Sequence, residues 1–193
     1  AAGVEPEKTV LVLGHQADKV RSAVGEYRPE IVLQSEQLGT GHAVQQAVET
    51  ISTGTGPVLV LCADTPLITG NTLKDVIELH AKSRAVVTFI TAKVDNPFGY
   101  GRVVRGKTGV MRVVEEKDAT AAQKKIQEVN AGIYCFERKF LLSSLTRLGK
   151  NNAQKEYYLP ETIELAKKRK LRVSAFLCGD PHEIMGVNSR YDL

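Results

Sequence analysis

A polar, glycine-rich segment between an apolar run and a helical pattern is the first place in this sequence that could carry chemistry. It covers residues 34–39, follows the apolar run 31–33 and precedes a helical pattern that begins near Thr40. Proteins of the α/β class bind ligands where a strand ends in such a loop. Gly39 and Gly41 would let backbone N–H groups approach a ligand without an intervening Cβ. Composition alone therefore suggests a phosphate-binding loop, although the spacing matches neither G-x-G-x-x-G nor a Walker A motif.

A second candidate is an aspartate that follows an apolar strand pattern. Residues 58–61 are apolar, Asp64 comes shortly after them, and Pro66 prevents the strand from continuing. Because the carboxyl ends of parallel strands point into the ligand crevice, Asp64 is well placed to bind a hard cation. Mg²⁺ typically takes one or two carboxylates and fills its other positions with water and phosphate oxygens. The alternative is structural, with Asp64 capping the turn that Thr65 begins.

A tyrosine flanked by glycines and a pair of glutamates suggest a site for a hydroxyl-rich ligand. Gly99 and Gly101 enclose Tyr100, and a backbone of this kind can lie against a flat or hydroxyl-rich molecule, although an ordinary turn is equally consistent. Glu115 and Glu116 end the next strand pattern, and side chains alternate between the faces of a strand. One of the two carboxylates should therefore point inward, where it would suit sugar hydroxyls, and the other should be solvated.

Two asparagines complete the set of polar candidates. Asn130 immediately precedes an apolar strand pattern. Its amide offers both a donor and an acceptor, which a sugar can use, and an Asx turn is the alternative. Asn188 follows Gly186 and Val187, and the simple interpretation of Asn188 is a helix N-cap.

The elements that must position these residues alternate between β-branched runs and helical patterns. This order indicates an α/β fold with a mostly parallel sheet and helices on both faces. A glycine-bearing turn at 106–109 predicts a β-hairpin over 103–114, so the sheet should be mixed. Further strands are predicted at residues 9–13, 30–33, 57–61, 85–94, 132–136 and 172–177. Helices are predicted at residues 16–27, 40–51, 70–83, 138–148 and 153–170.

The bulk composition limits the class of protein. A chain of 193 residues with 42% hydrophobic content fits one domain, which we place at residues 1–193. The net charge of +4 is mild and the basic run 167–170 fits a solvated helix end, so we expect no nucleic-acid partner. No apolar run approaches the length of about 18 residues that a membrane span needs, and no signal peptide opens the chain. We therefore expect a cytoplasmic protein without a membrane partner.

The cysteines carry no recognisable redox or metal motif. Cys62, Cys135 and Cys178 each lie in an apolar stretch, and no two of them form a C-x-x-C pair. They are expected to be reduced residues of the protein core.

Taken together in order and spacing, these motifs resemble the nucleotidyltransferases that make nucleotide sugars. The likeness is greatest to the uridylyltransferase domain of the bacterial bifunctional N-acetylglucosamine-1-phosphate uridylyltransferase / glucosamine-1-phosphate acetyltransferases, and it spans essentially the whole chain. The segments that carry it are 33–43, 63–67, 99–102, 114–120, 126–132, 151–158 and 186–190. The resemblance implies a Rossmann-like nucleotide-diphospho-sugar transferase fold. It also implies that UTP and N-acetylglucosamine 1-phosphate react to give UDP-N-acetylglucosamine and pyrophosphate.

The resemblance implies roles for individual residues as well. Asp64 and Asn188 would hold Mg²⁺ and act in catalysis. Gln34 and the backbone of Gly39 and Thr40 would read the uracil base, so the opening loop would bind the base rather than phosphate. The remaining substrate contacts would come from Cys62, Ala63, Gly101, Glu115 and Asn130.

Departures from the family pattern lead to further expectations. The family opens with a strand and a glycine-rich triphosphate loop, followed by a lysine in a P-K motif. These are not found here, so we expect the N-terminal strand–loop–helix to be missing and the fragment alone to be inactive. Cys62 and Ala63 stand where the family usually has an aromatic residue and a glycine, and the Ala63 methyl group would crowd the nucleotide. The family's threonine and aspartate after the tyrosine pair are replaced around Pro160. The full-length parent is expected to form a homotrimer through a C-terminal domain that is absent here.

Two alternatives remain open at this stage. Uracil and thymine share a hydrogen-bonding edge, so Gln34 does not exclude dTTP, and a methyl group supplies only about 1–3 kcal/mol of discrimination. A sister enzyme that uses dTTP or GTP with another sugar is therefore possible. The second alternative is a non-catalytic nucleotide-sugar-binding module of the same fold, against which the pair Asp64 and Asn188 argues.

Overall fold

The computed structural model describes residues 4–107 and 109–187. The strands are β1 (Val10–Leu13), β2 (Glu30–Leu33), β3 (Val58–Val60), β4 (Val87–Lys93), β5 (Gly101–Gly106), β6 (Gly109–Val114), β7 (Glu128–Phe136) and β8 (Val173–Leu177). The α-helices are α1 (Ala17–Val24), α2 (Thr40–Gln46), α3 (Val48–Ser52), α4 (Gly70–Ser83), α5 (Arg138–Leu145) and α6 (Glu161–Lys168). Short 3₁₀ turns lie at Gly25–Tyr27, Gln123–Lys125 and Pro181–Ile184.

Helix α4 shows how local sequence sets the bounds of an element. Thr69 is its N-cap, and the Thr69 Oγ1 accepts a 3.2 Å hydrogen bond from the Thr72 N–H. Arg84 follows the last turn in the left-handed conformation, with φ of 51°. Because both ends carry these signals, the predicted helix 70–83 is confirmed in full.

Strand β7 is the centre of the larger sheet. The strand order is β6-β5-β7-β4-β8, and β3 also pairs with β7. One edge of β7 is covered by β4, while the other edge is shared, with β5 beside Asn130 and β3 beside Tyr134 to Phe136. Asn130 therefore lies inside a strand, where the sequence pattern placed it just before one.

The sheet is mixed, as predicted, but its pairings are more antiparallel than expected. Strands β3, β4, β5 and β8 run in one direction, and β6 and β7 run against them. Because β7 lies between strands of the opposite direction, every pairing that it makes is antiparallel. The direct parallel pairings are β4 with β8 and, in a separate two-stranded sheet, β1 with β2.

Both faces of the larger sheet are covered by helices, as predicted. Side chains alternate along β4, so that Val87 and Phe89 enter a core formed with helices α2, α3, α5 and α6. Ile90 and Ala92 face the opposite way, into a core formed with α4 and the 3₁₀ turn near Ile184.

The predicted helix 153–170 is wrong in its first half, since α6 begins only at Glu161. Asn152 holds the preceding segment in a loop, because its amide donates to the Glu156 carbonyl at 2.6 Å and accepts from the Glu156 N–H at 3.1 Å. Lys155 has a φ of 55°, which a helix does not allow. The predicted helix 40–51 is likewise divided at Ala47 into α2 and α3.

The helices, the cysteines and the basic run at the end of α6 bear on the expectations drawn from composition. Within residues 4–107 and 109–187, no helix is both long enough and apolar enough to cross a lipid bilayer. Cys135 and Cys178 are buried thiols, as predicted, whereas Cys62 is only half-buried. Lys168, Arg169 and Lys170 are exposed at the end of α6, as expected for a solvated last turn.

Candidate functional site

The loop before α2 is held by the polypeptide itself. The Gly41 N–H donates to the Tyr157 carbonyl at 2.7 Å, so this N–H is not available to a ligand. A Cβ on Gly41 would lie 2.8 Å from that carbonyl oxygen and 2.5 Å from Leu148 Cδ1. Gly39 has a φ of 99°, and a Cβ there would lie 2.8 Å from the Glu156 Cβ. The two glycines therefore serve the close packing of this loop, and the phosphate-binding role that composition suggested is not supported.

The side chain of Gln34 is held against this loop by its Nε2, while its Oε1 remains without a hydrogen bond among the described residues. Its Nε2 donates to the Gly39 carbonyl at 3.2 Å and lies 3.0 Å from Nδ1 of His42. The Gly39 carbonyl can only accept, and this fixes which end of the amide faces it. The Gln34 Oε1 accepts no hydrogen bond from residues 4–107 or 109–187. Thr40 Oγ1 accepts from the Leu159 N–H at 3.1 Å, so its hydroxyl is already used by the fold.

The loop 152–158 connects this region with the other candidate residues. Tyr157 binds the glycine loop twice through its backbone, by its N–H to the Leu38 carbonyl at 2.8 Å and by its carbonyl to the Gly41 N–H. The same loop contacts the segment that follows Glu115, because the Ala153 N–H donates to the Asp118 Oδ1 at 2.9 Å. The two groups of predicted site residues are thus joined by a segment for which the sequence predicted a helix.

Gly101, Glu115 and Asn130 converge on one place in the sheet. Gly101 is the cross-strand partner of Asn130 where β5 meets β7. A Cβ on Gly101 would lie 3.0 and 3.2 Å from the two carboxylate oxygens of Glu115. Glycine at this position therefore leaves room for the carboxylate against the backbone, and the sequence prediction that these residues act together is consistent with their positions.

The two neighbouring glutamates have different environments. The Glu116 carboxylate binds the buried Arg102 guanidinium at 2.5 Å and Lys124 Nζ at 3.2 Å, and the Arg102 hydrogen bond lowers the pKa of Glu116. Burial raises the pKa of Glu115, the charge of Asp118 raises it further, and the Arg102 charge opposes this shift. Glu115 is therefore the inward carboxylate of the predicted pair. The expectation that the other glutamate is solvated is wrong, because the Glu116 side chain is only 16% exposed and pairs with the buried Arg102.

Asn130 is held by a neighbour on its own strand. Its Nδ2 donates to the Tyr134 hydroxyl at 2.7 Å, and its Oδ1 accepts from the Gly132 N–H at 3.3 Å. Burial raises the pKa of Tyr134 well above the ordinary value, and the nearby Glu115 charge adds to this effect. The Tyr134 hydroxyl stays protonated, and its position fixes the Asn130 amide.

Tyr158 is a candidate to which the sequence analysis assigned no role. Its side chain is 9% exposed. Its hydroxyl makes no hydrogen bond of ordinary geometry with the described residues, but the Asp118 carboxylate is close enough to interact with it. Burial raises the pKa of Tyr158, and the charges of Asp118 and Glu115 raise it further. A buried hydroxyl is unfavourable in a folded protein unless a protein group, an ordered water molecule or a ligand completes its hydrogen bonds. The proline at 160, which ends any helix before it, was the sequence signal that this tyrosine belongs to a loop.

Cys62 and Ala63 follow β3 at the edge of this region. The Cys62 Sγ donates to the Gly132 carbonyl at 3.3 Å, so the thiol faces β7. Burial, together with the charges of Asp64 and Glu115, raises the pKa of Cys62 to about 11. Ala63 is exposed beside it.

Asp64 lies at the end of the same segment. Its side chain is exposed, and no side chain or N–H group in residues 4–107 or 109–187 hydrogen-bonds to its carboxylate. The turn is closed by Thr65, whose Oγ1 donates to the Cys62 carbonyl at 3.0 Å, so capping by the aspartate is not observed. The Asp64 carbonyl accepts a 2.7 Å hydrogen bond from the Val187 N–H. Asn188, the predicted partner of Asp64, lies outside the described residues, and the described part holds no cluster of three or more metal-ligating side chains.

Comparison with known proteins places this chain in a family. A family model described as "Nucleotidyl transferase" matches residues 5–180, which is most of the chain. The chain belongs to the nucleotidyl transferase family. This membership confirms the family resemblance drawn from the motifs, and enzymes of this family generally use a divalent metal ion.

Individual relatives agree with this assignment. The chain is 49% identical over 188 residues to the bifunctional protein GlmU of Geobacter metallireducens, in a match that covers 96% of this chain and 40% of the relative. It is 50% identical over 186 residues to the same-named protein of Trichlorobacter lovleyi, covering 95% and 40%. For the protein of Desulfotalea psychrophila, identity is 42% over 193 residues, covering 100% and 57%. The chain therefore spans roughly two fifths to three fifths of the length of these relatives.

A solved structure supports the fold. A UDP-glucose pyrophosphorylase complexed with UDP-glucose superimposes with a TM-score of 0.64 over 91% of this nucleotidyltransferase chain and 78% of its own. The sequence identity is 18%, so this likeness concerns the fold alone. The predicted Rossmann-like α/β fold is confirmed.

Proposed function

We propose that this nucleotidyltransferase chain binds UDP-N-acetylglucosamine and belongs to an enzyme that forms it from UTP and N-acetylglucosamine 1-phosphate, with release of pyrophosphate. Residues 1–193 would act as one domain in this reaction. The proposal follows from the family resemblance together with the identities of 42–50% to proteins named bifunctional protein GlmU.

The observation that carries the proposal is the convergence of Gly101, Glu115 and Asn130 where β5 meets β7. This group combines a desolvated carboxylate with an amide that its neighbours hold in one orientation. Such groups accept and donate hydrogen bonds at several points, as the hydroxyl and acetamido groups of an N-acetylated sugar require. Gly101 would allow the sugar to approach the backbone beside the carboxylate.

The base would bind at the other end of the site. The Gln34 Oε1 faces no donor among the described residues, and it would accept the N3–H of uracil. The backbone of Gly39 and Thr40 would complete the recognition of the base. Because the Gly41 N–H and the Thr40 hydroxyl are already bound within the fold, this loop would hold the base in one orientation without rearrangement.

Asp64 and Asn188 would hold Mg²⁺. The Asp64 carboxylate is exposed and uncommitted among the described residues, and the Val187 N–H bonds to the Asp64 carbonyl, so residue 188 directly follows a residue bound to Asp64. Two protein ligands suit Mg²⁺, which fills its other positions with water and phosphate oxygens. When bound, the ion would neutralise negative charge on the phosphates.

The chain itself would act by positioning. A phosphate oxygen of the sugar phosphate attacks the α-phosphorus of UTP in line, the new oxygen–phosphorus bond forms, and the bond to the β-phosphate breaks to release pyrophosphate. No protein nucleophile is required. Gln34 would orient the uridine while Glu115 and Asn130 orient the sugar, and this alignment lowers the entropic part of the barrier.

Calorimetric titration with UDP-N-acetylglucosamine, with and without Mg²⁺, tests the proposal. Wild-type protein should bind, and Glu115→Gln should weaken binding by about 10- to 100-fold, the factor of a hydrogen bond to a charged group. Glu78→Gln is the matched control, because Glu78 is an exposed carboxylate on α4 that pairs only with Lys82 among the described residues. Failure of a folded wild-type sample to bind would exclude the proposed site.

A further inference from the structure

Strand β7 contains an irregularity next to the proposed sugar site. In its pairing with β4, Tyr134 faces Phe89 and Asn130 faces Thr91, so the intervening part of β7 is longer than the Ile90 segment it opposes. Gly132 lies in the middle of this bulge with a φ of 74°, a conformation that favours glycine. Bulges of this kind change the direction in which neighbouring side chains point, and they are frequent next to active sites.

The opposite edge of β7 changes partner at the same place. Asn130 is paired with β5 through Gly101, and Tyr134 is paired with β3 through Val60, so Gly132 lies between the two partners. The Cys62 side chain fills this position. Its Sγ donates to the Gly132 carbonyl at 3.3 Å, and a Cβ on Gly132 would lie only 2.8 Å from that sulfur.

Hydrogen bonds lead from this contact to Asn130. Cys62 holds the Gly132 carbonyl, and the Gly132 N–H donates to the Asn130 Oδ1 at 3.3 Å. The other end of the Asn130 amide donates to the Tyr134 hydroxyl. Both ends of the amide are therefore fixed by residues of the bulge, and the bulge is held from outside by the thiol.

We propose that Cys62 is a positioning residue whose thiol holds the Gly132 bulge and thereby aims the Asn130 amide at the sugar. This inference rests on the proposed function in so far as Asn130 contacts the sugar. It changes the role expected for Cys62 from the family resemblance, which was direct contact with the substrate. The sulfur faces the backbone of β7, and it acts on the ligand through Asn130.

The test compares Cys62→Ala with Cys62→Ser in the whole chain. Serine keeps a donor of similar shape and alanine removes it, so the Asn130 side-chain amide resonances in a ¹⁵N correlation spectrum should move in Cys62→Ala and stay near their wild-type positions in Cys62→Ser. Affinity for UDP-N-acetylglucosamine should fall by about three- to tenfold in Cys62→Ala, the factor of one neutral hydrogen bond, and recover in Cys62→Ser.

Cys178→Ala is the matched control. The Cys178 Sγ donates to the Asp180 carbonyl at 3.2 Å, a bond of the same kind in the core beside α4. Its removal should leave the Asn130 resonances and the affinity unchanged. If Cys62→Ala does not fold, Cys62→Val replaces it, since valine fills the space without a donor.

The possible results separate this inference from the proposed function. Unmoved Asn130 resonances in the variants without a donor at position 62 would overturn the positioning role, whatever the affinity. Shifted resonances with no binding of UDP-N-acetylglucosamine by the wild type would sustain the control of Asn130 by Cys62 and refute the proposed ligand. Equal shifts from Cys178→Ala would show a general loosening of the fold and would also overturn the inference.

Discussion

The loop before α2 and the group around Glu115 were both predicted as binding elements, but the fold treats their polar groups in opposite ways. In the first, Gly41 and Thr40 use their N–H and hydroxyl groups on the loop that contains Tyr157 and Leu159. In the second, the Glu115 carboxylate is desolvated and accepts no hydrogen bond from the described residues. The base side is preorganised by the polypeptide, whereas the sugar side has hydrogen-bonding capacity left for a ligand.

This difference shows where glycines and polar residues give information about function. Gly39 and Gly41 allow two backbone segments to approach, and the same role would be needed without any ligand. Two groups accept no hydrogen bond from the described residues, the Gln34 Oε1 in the loop before α2 and the Glu115 carboxylate on the other side. Polar groups that the fold leaves without a hydrogen bond are therefore better candidates for ligand binding than glycines that allow two backbone segments to pack closely.

The largest effect on the melting temperature is expected from replacing the two adjacent glutamates one at a time. Glu116→Gln removes the charge that pairs with Arg102, a residue 1% exposed, and leaves a buried guanidinium without its anion. This substitution should lower the melting temperature by more than Gly41→Ala or Thr40→Val does. Glu115→Gln removes a desolvated charge, so its melting temperature at neutral pH should equal or exceed that of the wild type. Similar losses in both glutamate variants would contradict the division of roles between the two carboxylates.

The packing of the base-side loop is tested by Gly41→Ala. The added methyl group would meet the Tyr157 carbonyl and Leu148, and we expect a loss of about 1–3 kcal/mol in the free energy of unfolding, measured in urea. Gly25→Ala is the control, because Gly25 has helical dihedral angles and open space around its Cβ position. Gly25→Ala should be neutral or stabilising by up to about 1 kcal/mol. Equal effects would show that the close approach at Gly41 is not important.

A smaller effect is expected from Thr40→Val. Valine keeps the shape but cannot accept the Leu159 N–H, so the free energy of unfolding should fall by about 1 kcal/mol. Thr146→Val, at an exposed position after α5, should change it by less than about 0.5 kcal/mol. A neutral Thr40→Val would mean that the hydroxyl is not committed to the fold and remains available to the ligand.

The smallest effect concerns pH. Because burial raises the pKa of Glu115, the folded protein holds this proton more tightly than the unfolded chain. The contribution of Glu115 to stability therefore falls as pH rises from its unfolded pKa through its raised folded pKa. The stability advantage of Glu115→Gln over the wild type should grow across that window and then level off. Urea unfolding of both proteins between about pH 4.5 and 8 measures this difference, and a constant difference would refute the shift.

Much of the fold could be predicted from the sequence because most elements carry their own signals. Helix α4 has caps at both ends, and strand β2 coincides with its apolar run. The errors occurred where distant residues compete with the local pattern. The segment 153–160 has a helical composition, but Asn152 and the hydrogen bonds from Tyr157 to Leu38 and Gly41 hold it as a loop. No local pattern reports a contact between residues so far apart in the sequence.

The site was predictable in its members and less so in their arrangement. The resemblance named Gly101, Glu115 and Asn130, and the structure brings them together where β5 meets β7. The orientation of Cys62 toward Gly132 depends on a bulge that periodicity does not reveal. Roles that involve Asp64 and Asn188 remain predictions.

The backbone hydrogen bonds of Tyr157 limit which segments of this protein can be exchanged separately with those of a relative. The Tyr157 backbone is hydrogen-bonded to the glycine loop, while Ala153 of the same loop as Tyr157 donates its N–H to Asp118, which follows Glu115 by three residues. A graft that replaced the end of β6 and the residues after it alone would leave the loop 152–158 shaped for the original Asp118. A graft of 152–158 alone would disturb the loop before α2, which is proposed to bind the base. A change of the proposed sugar specificity should therefore exchange both segments as one unit, with Gly39 and Gly41 kept in place.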